Sequence, residues 1–169
     1  MSAHEVALTV NGRPLRATVQ ANASLLELLR THGGATEVKL GCGEGVCGTC
    51  TVLLDGEPVN SCLTFAVQVD GRSVTTVRGL AGPGELHPLQ ESFLRHGGAQ
   101  CGFCTPGMLL TAKWYMDANP HADREQIRQA LSGNLCRCTG YTKILDAIEE
   151  YRDRLPTGAG GQEASDGGA

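Results

Sequence analysis

The sequence contains few aromatic side chains: three phenylalanines, three tyrosines and one tryptophan in 169 residues. Because aromatic residues supply much of the buried area of a core, their scarcity predicts small cores that need another source of stability. Hydrophobic residues still make up 41% of the chain, which is compatible with globular folding. A chain of this length folds as one ordinary domain or as two small ones. Bound metal would supply the stability that small cores lack.

The sequence also lacks long basic or apolar runs. Its formal net charge is −4 and no Lys/Arg-rich run occurs, so we do not expect nucleic acids or other polyanions as partners. No apolar run reaches the length needed to cross a bilayer. Residues 1–10 show no basic stretch followed by an apolar one, and no twin-arginine signal is present. We therefore expect a cytoplasmic protein without a transmembrane segment.

What the sequence does have is cysteine, with eight residues that fall into two sets of four. In the reducing cytoplasm this content favours metal binding over disulfides. In the first set Cys42, Cys47 and Cys50 have the spacing C-x4-C-x2-C, and Cys62 follows at a distance. This is the plant-type [2Fe–2S] arrangement, and the alternating glycines let the loop wrap closely around a small inorganic core. Zinc fits this spacing poorly, because zinc sites usually combine two short C-x2-C knuckles.

The second set consists of two close pairs, Cys101 with Cys104 and Cys136 with Cys138. Each pair precedes a predicted helix, whose N-terminal dipole and free N–H groups favour thiolates and an anionic cluster. The spacing leaves alternatives open. Four-cysteine zinc coordination is the stronger alternative, whereas a dithiol redox motif needs a thioredoxin-like βαβ setting that is missing here. The scattered histidines do not complete a ligand set, so we expect them at the surface or as helix caps.

Residues 1–80 have the pattern of a small mixed sheet with one helix. An Asn11-Gly12 step between two β-prone runs predicts a hairpin. Ser24 to Glu27 has the spacing of a capping box, so a short amphipathic helix is expected there, ending near His32. The β-prone runs are 6–10, 15–19, 51–54, 59–67 and 74–77.

The periodicity changes after the segment 79–84, which is rich in glycine and proline and marks the expected domain boundary. Residues 81–155 show helix periodicity and predict four short helices that pack as a bundle. These helices are expected at 86–95, from an N-cap at Thr105 to 118, from an N-cap at Asp123 to 132, and from 142 onward. Residues 123–126 again have the spacing of a capping box. Residues 156–169 consist mainly of glycine and small polar residues and cannot bury a core, so we expect a disordered tail.

Three segments carry a specific resemblance to a known family: residues 41–52 (GCGEGVCGTCTV), 100–107 (QCGFCTPG) and 133–141 (GNLCRCTGY). Together they resemble the small iron–sulfur subunit of the molybdenum hydroxylases, the xanthine oxidase family that includes aerobic carbon monoxide dehydrogenase. The similarity extends over roughly residues 4–153.

The resemblance implies an α+β protein in which a β-grasp, plant-ferredoxin-like domain precedes a four-helix bundle. It implies one [2Fe–2S] cluster in each cysteine set. The cluster of Cys101, Cys104, Cys136 and Cys138 would lie next to the molybdenum–pterin cofactor of a large subunit, and the other cluster would face the FAD of a medium subunit. Gln100 would hydrogen-bond the pterin, and Cys138 would be the ligand closest to it.

The function implied by the resemblance is electron transfer from molybdenum through both clusters to FAD, in a heterotrimer that forms dimers. The chain would be part of an oxidoreductase complex without being catalytic alone, because no molybdenum-binding or flavin-binding segment occurs in it. A stand-alone two-cluster ferredoxin is the alternative within the same class. A structural or regulatory zinc protein is the alternative from another class.

Overall fold

A computed structural model of the protein describes residues 3–155. The predicted tail, 156–169, lies outside these residues. The described residues form five strands and five α-helices: β1 (Ala3–Val10), β2 (Arg13–Gln20), α1 (Leu25–Thr31), β3 (Thr51–Leu54), β4 (Glu57–Asn60), β5 (Ser73–Thr75), α2 (Pro88–His96), α3 (Thr105–Ala118), α4 (Arg124–Ala130) and α5 (Thr142–Asp153). None of the helices in residues 3–155 is long and apolar enough to span a membrane.

The strands form one mixed sheet in the order β2-β1-β5-β3-β4. β1 pairs antiparallel with β2 and parallel with β5, whereas β3 pairs antiparallel with both β4 and β5. The predicted first hairpin is confirmed, with Asn11 and Gly12 at its turn. Helix α1 packs on the sheet, because Leu25 and Leu28 are fully buried in the same core as Val52.

The run 59–67, expected as one strand, stays in the sheet only to Asn60. The chain then turns, and Ser61 donates its hydroxyl to the Cys50 carbonyl oxygen at 2.7 Å. A 3₁₀ helix follows at Ala66–Val69. The turn supplies partners to backbone groups that would otherwise need a neighbouring strand. Tertiary contacts, rather than β propensity, therefore decide the conformation of this segment.

Helices α2 to α5 surround a second core. α2 packs on α5, where Glu150 accepts hydrogen bonds from Ser92 at 2.6 Å and from Arg95 at 3.1 Å. These hydrogen bonds, the one from Ser92 above all, lower the pKa of Glu150 to about 2.

α3 also contacts β3 and β4, so the helices pack directly on the sheet. The expected α+β class is confirmed. The largest fully buried side chains of this core are Leu89, Phe93, Met108, Met116, Ile127, Leu131, Ile144 and Ile148.

Polar caps fix the starts of two of these helices. Asp123 accepts a hydrogen bond from the Gln126 N–H at 2.9 Å, and the Gln126 side chain accepts one from the Asp123 N–H at 2.8 Å. The predicted capping box is thereby confirmed. His87 caps α2, because its Nδ1 accepts a hydrogen bond from the Leu89 N–H at 3.2 Å. α2 begins at Pro88, two residues later than expected, since proline is favoured at the first helical position.

Asn11 ties the β1–β2 turn to the segment that leaves the sheet after β5. Its side chain accepts a hydrogen bond from the Thr76 N–H at 2.8 Å and donates one to the Thr76 hydroxyl at 2.9 Å. That hydroxyl donates in turn to Glu37 at 2.7 Å, and Glu37 forms an ion pair with Arg78 at 3.3 Å. Asn11 itself has a φ of 51°, a left-handed conformation that asparagine tolerates better than most residues. The turn residue thus also positions the start of the connection to the helices.

Asn11→Ala is expected to lower the free energy of unfolding by about 2 to 3 kcal/mol, because two hydrogen bonds of about 1 kcal/mol each are lost and alanine disfavours the left-handed region. Denaturant unfolding followed by circular dichroism measures the change. Asn22→Ala, at an exposed turn asparagine, is the matched control and should change stability by less than about 0.5 kcal/mol. Equal stability of the two variants would contradict the proposed anchoring role of Asn11.

Candidate metal centres

The first cysteine group lies in the loops around β3 and β4. Cys42 and Cys47 lie in the loop before β3, Cys50 directly precedes that strand, and Cys62 follows β4. The side chains interact in two pairs, Cys42 with Cys47 and Cys50 with Cys62. All four thiols are free of disulfides.

The surroundings give the thiols of this group different pKa values. The Glu44 N–H donates a hydrogen bond to the Cys42 Sγ at 3.3 Å, and this hydrogen bond, with the contact to Cys47, lowers the pKa of Cys42 to about 6. Burial, followed by the contact with Cys62, raises the pKa of Cys50 to about 11. A coordinated metal deprotonates a thiol outright. The Cys50 thiol therefore stays protonated at neutral pH unless a bound metal displaces its proton.

The loop around this group approaches the sulfurs closely. A Cβ at Gly41 would lie 2.9 Å from the Cys47 Sγ, so only glycine leaves room there. Asn60 donates a hydrogen bond to the Gly45 carbonyl oxygen at 2.9 Å and its Oδ1 lies 3.9 Å from the Cys50 Sγ. Sequence reasoning missed Asn60, because an asparagine at the end of a strand carries no signal of a contact with a distant loop. The fold alone brings it there.

The second cysteine group joins two loops that precede helices. The Cys138 and Cys101 sulfurs lie 3.5 Å apart, and the Cys104 side chain interacts with that of Cys136. A tetrahedral metal with metal–sulfur bonds of about 2.3 Å holds two thiolates about 3.8 Å apart. The Cys101–Cys138 separation is therefore close to that of two thiolates on one metal ion.

Burial and hydrogen bonding shift the pKa values of thiols in the second group in opposite directions. Burial, and then the neighbouring Cys136, raises the pKa of Cys104 to about 12. Burial also acts on Cys136, but hydrogen bonds from the side chain and backbone of Thr139 outweigh it and lower the pKa of Cys136. The Thr139 hydroxyl lies 3.1 Å from the Cys136 Sγ. Such donors stabilise a thiolate that binds a metal.

Both loops of the second group lie at helix N-termini. Thr105 was the expected N-cap of α3, but this prediction was wrong by one residue. The N-cap is Cys104, whose carbonyl oxygen accepts the hydrogen bond from the Met108 N–H at 3.0 Å. α5 begins after Tyr141, which adopts a φ of 69°. The positive ends of both helix dipoles therefore point toward the region of the thiols, where they favour negative charge.

The pairwise arrangement of the thiols bears on which metal group fits. Within residues 3–155, no three His, Cys, Asp or Glu side chains converge on one point as a single ion would require. The cysteines instead meet two by two, in two pairs per group. In a [2Fe–2S] centre two protein ligands bind each of the two irons. The cysteine geometry therefore fits a binuclear cluster in each group.

One edge of the second group is open to solvent. Cys101 and Cys138 are exposed, whereas Cys104 and Cys136 are partly buried. Gln100, predicted to contact a pterin, is also exposed and directly precedes Cys101. The structure thus brings the exposed pair and Gln100 to one accessible edge. The partly buried pair, Cys104 and Cys136, packs against the second core.

Large apolar side chains beside the cysteines are exposed, which sequence reasoning did not foresee. In the first group Val46 is 61% exposed, Leu63 57% and Leu40 56%. In the second group Leu135 is 52% exposed and Phe103 46%. We call these five residues the apolar rims. Their position next to cysteines was visible in the sequence, but exposure is a property of the folded surface.

The two cysteine groups touch through their loops. The Leu135 N–H, one residue before Cys136, donates a hydrogen bond to the Cys47 carbonyl oxygen at 2.9 Å. The path from Cys47 to Cys136 therefore consists of covalent bonds and this one hydrogen bond. The two candidate centres are neighbours, although their cysteines are far apart in sequence.

The fold and the two groups of paired cysteines place this chain in the class of [2Fe–2S] proteins. A family model described as a 2Fe-2S iron-sulfur cluster binding domain matches residues 8–75. A second model, described as a [2Fe-2S] binding domain, matches residues 76–149. Together they support two [2Fe–2S] clusters as the cofactors of this chain.

Relatives match most of the chain. The nicotine 6-hydroxylase small subunit of Paenarthrobacter nicotinovorans is 51% identical over 144 residues, which cover 85% of this chain and 87% of the relative. Caffeine dehydrogenase subunit gamma of Pseudomonas sp. (strain CBB1) is 47% identical, with coverages of 88% and 91%. A chain of the crystal structure of quinoline 2-oxidoreductase from Pseudomonas putida 86 superposes with a TM-score of 0.86 at 47% identity, covering 90% of this chain and 94% of that one. The chain belongs to the family of small iron–sulfur subunits of the molybdenum hydroxylases, as its cysteine segments predicted.

Proposed function

We propose that this chain is the electron-transfer subunit of a molybdenum hydroxylase complex, relaying electrons from a molybdenum–pterin cofactor to FAD in partner subunits. The observation that supports this most strongly is the meeting of eight free thiols in four pairs, in two groups that touch. Each [2Fe–2S] cluster, when bound, takes up and releases one electron at a time. The proposed ligands are Cys42, Cys47, Cys50 and Cys62 for the first cluster and Cys101, Cys104, Cys136 and Cys138 for the second.

The contact pairs suggest how the thiols divide between the irons. In the first group Cys42 and Cys47 would share one iron, with Cys50 and Cys62 on the other, as their contacts indicate. In the second group Cys101 would share an iron with Cys138, and Cys104 with Cys136. In both groups one pair is more buried than the other. The more exposed pair would face a partner subunit.

The accessible edge of the second group supports its placement against the molybdenum subunit. Gln100 would hydrogen-bond the pterin, and Cys138 would be the ligand nearest to it. The first group would face the FAD of the medium subunit. We further propose a β-grasp domain at 1–80, a four-helix bundle at 81–155, a dimer of heterotrimers as the assembly, and the cytoplasm as its location.

The apolar rims favour a permanent subunit over a stand-alone two-cluster ferredoxin. Exposed apolar side chains that gather in one region often mark a protein interface, and here such side chains lie beside cysteines of both groups. A partner that covers the rims would exclude water from the centres. A freely diffusing carrier would instead expose these side chains to water permanently.

Purification under gentle lysis from the native cell tests the proposal. A molybdenum-containing large subunit and a flavin-containing medium subunit should copurify in stoichiometric amounts, with about four irons and four acid-labile sulfides on this chain. A stable, partner-free chain with the same iron content would indicate the stand-alone ferredoxin. Two zinc ions and no visible absorption would contradict both.

Val46→Glu is expected to weaken binding of the flavin subunit by roughly tenfold or more, because an unpaired charge buried in an interface costs several kcal/mol. Both clusters should stay in place. Copurification of the flavin subunit with the variant, together with iron content, measures this. Leu94→Glu is the control, since Leu94 is 64% exposed on α2, outside both cysteine loops. Undiminished flavin-subunit binding by Val46→Glu would place the flavin partner elsewhere.

A further inference from the structure

The loop 133–135 makes the contact between the two cysteine groups, and Asn134 anchors it. Asn134 is only 4% exposed, although it lies in a loop. Its Nδ2 donates a hydrogen bond to the Gly48 carbonyl oxygen at 3.0 Å. The next residue, Leu135, donates its N–H to the Cys47 carbonyl oxygen at 2.9 Å. Two successive residues of one loop therefore hold two successive carbonyls of the other.

Tyr141 fastens the other side of the same loop. Its hydroxyl accepts a hydrogen bond from the Cys136 N–H at 2.9 Å and donates one to the Asn134 carbonyl oxygen at 3.2 Å. The backbone of Tyr141 adopts a φ of 69°, which is an unfavourable conformation for a bulky residue. Such a conformation persists only where the surrounding contacts enforce it. One hydroxyl thus bridges the residues on both sides of Leu135.

The loops meet with almost no space between them. A Cβ at Gly48 would lie 2.3 Å from the Gly133 carbonyl oxygen. A Cβ at Gly107, in the first turn of α3, would lie 2.3 Å from the Gly48 carbonyl oxygen. Three backbone segments therefore approach one another at the point where Asn134 donates its hydrogen bond. A small shift of the loop 133–135 would break the Leu135–Cys47 hydrogen bond.

We propose that Asn134 and Tyr141 are positioning residues that hold the backbone before Cys136 against the Cys47 carbonyl and so set the separation and relative orientation of the two clusters. This inference rests on the proposed function, because it requires both clusters to be present. Neither residue has a side chain placed to bind iron. They act by holding the Leu135 N–H on the Cys47 carbonyl oxygen, the hydrogen bond that lies between a cysteine of each group.

The test uses the full chain loaded with both clusters and reduced until each carries an unpaired electron. Magnetic coupling between the two spins depends on their separation and orientation, and it appears as splitting of the EPR signals. Asn134→Ala and Tyr141→Phe should each reduce or abolish this splitting while iron stays at about four per chain. Leu135→Ala is the control, because it shortens an exposed side chain and keeps the N–H that bonds to Cys47. Its splitting should match that of the wild type.

Tyr141→Phe is the decisive variant if Asn134→Ala loses iron, since it removes one hydroxyl and keeps the ring. Unchanged splitting in Tyr141→Phe with both clusters retained would overturn the inference, whatever the melting temperature does, because a merely structural role lowers stability without changing the coupling in the folded protein. Failure of the proposed function looks different. In that case the unmodified chain would lack paired [2Fe–2S] signals altogether.

Discussion

Cys136→Ala is expected to remove one of the two clusters and to destabilise the helical part of the chain. The substitution leaves Cys104, the contact partner of Cys136, as an unpaired thiol at the edge of the second core. Metal binding and folding are coupled, because a preformed site rarely exists in the unfolded state. Iron should therefore fall from about four to about two per chain. EPR of the reduced protein should lose one signal, and circular dichroism should show loss of helix at a lower temperature.

Cys62→Ala is the reciprocal control for this experiment. It should remove the other cluster and leave the helices, because Cys62 packs against the core of the sheet. The two variants should thus lose different EPR signals and different parts of the secondary structure. Survival of both signals in Cys136→Ala would show that the ligand assignment is wrong.

Gly107→Ala is the second substitution with a large expected effect. Gly107 lies inside helix α3, where alanine is the better helix former by about 1 kcal/mol. Propensity alone therefore predicts stabilisation. The added Cβ would lie 2.3 Å from the Gly48 carbonyl oxygen, and a clash with backbone forces the sheet and the helices apart. Overpacking of this kind costs typically about 1 to 3 kcal/mol, which outweighs the gain in helix propensity, so we expect net destabilisation by about 1 kcal/mol.

Denaturant unfolding of the cluster-loaded chain measures the effect of Gly107→Ala. Gly133→Ala is the matched control, because a Cβ there meets no atom within 4 Å, and its stability should stay within about 0.5 kcal/mol of the wild type. A more stable Gly107→Ala would show that helix α3 does not pack closely on the Gly48 carbonyl. It would also count against close packing of the loop 133–135, which holds Asn134, on the same carbonyl.

Local features of the chain were predictable from the sequence. The Asn11-Gly12 hairpin and the Asp123 capping box depend on residues within a few positions of each other, and both are present in the structure. The α+β class follows from the change of periodicity near residue 80. The errors are also local in origin. Propensity extended the strand past Asn60, where the Ser61 hydroxyl instead bonds to the Cys50 carbonyl oxygen. It also placed the N-cap of α3 at Thr105, one residue after Cys104.

The sequence by itself determined the two cysteine sets and the family, because cysteine spacing within a loop is a short-range property that survives in a linear pattern. Only the tertiary structure decided which thiol meets which, that Cys101 lies 3.5 Å from Cys138, and that Asn134 reaches Gly48 across the two parts of the chain. Those relations join residues far apart in sequence, and they depend on how the helices pack on the sheet. Cysteine spacing does not predict how the helices pack on the sheet, because that packing depends on the shapes of both hydrophobic cores.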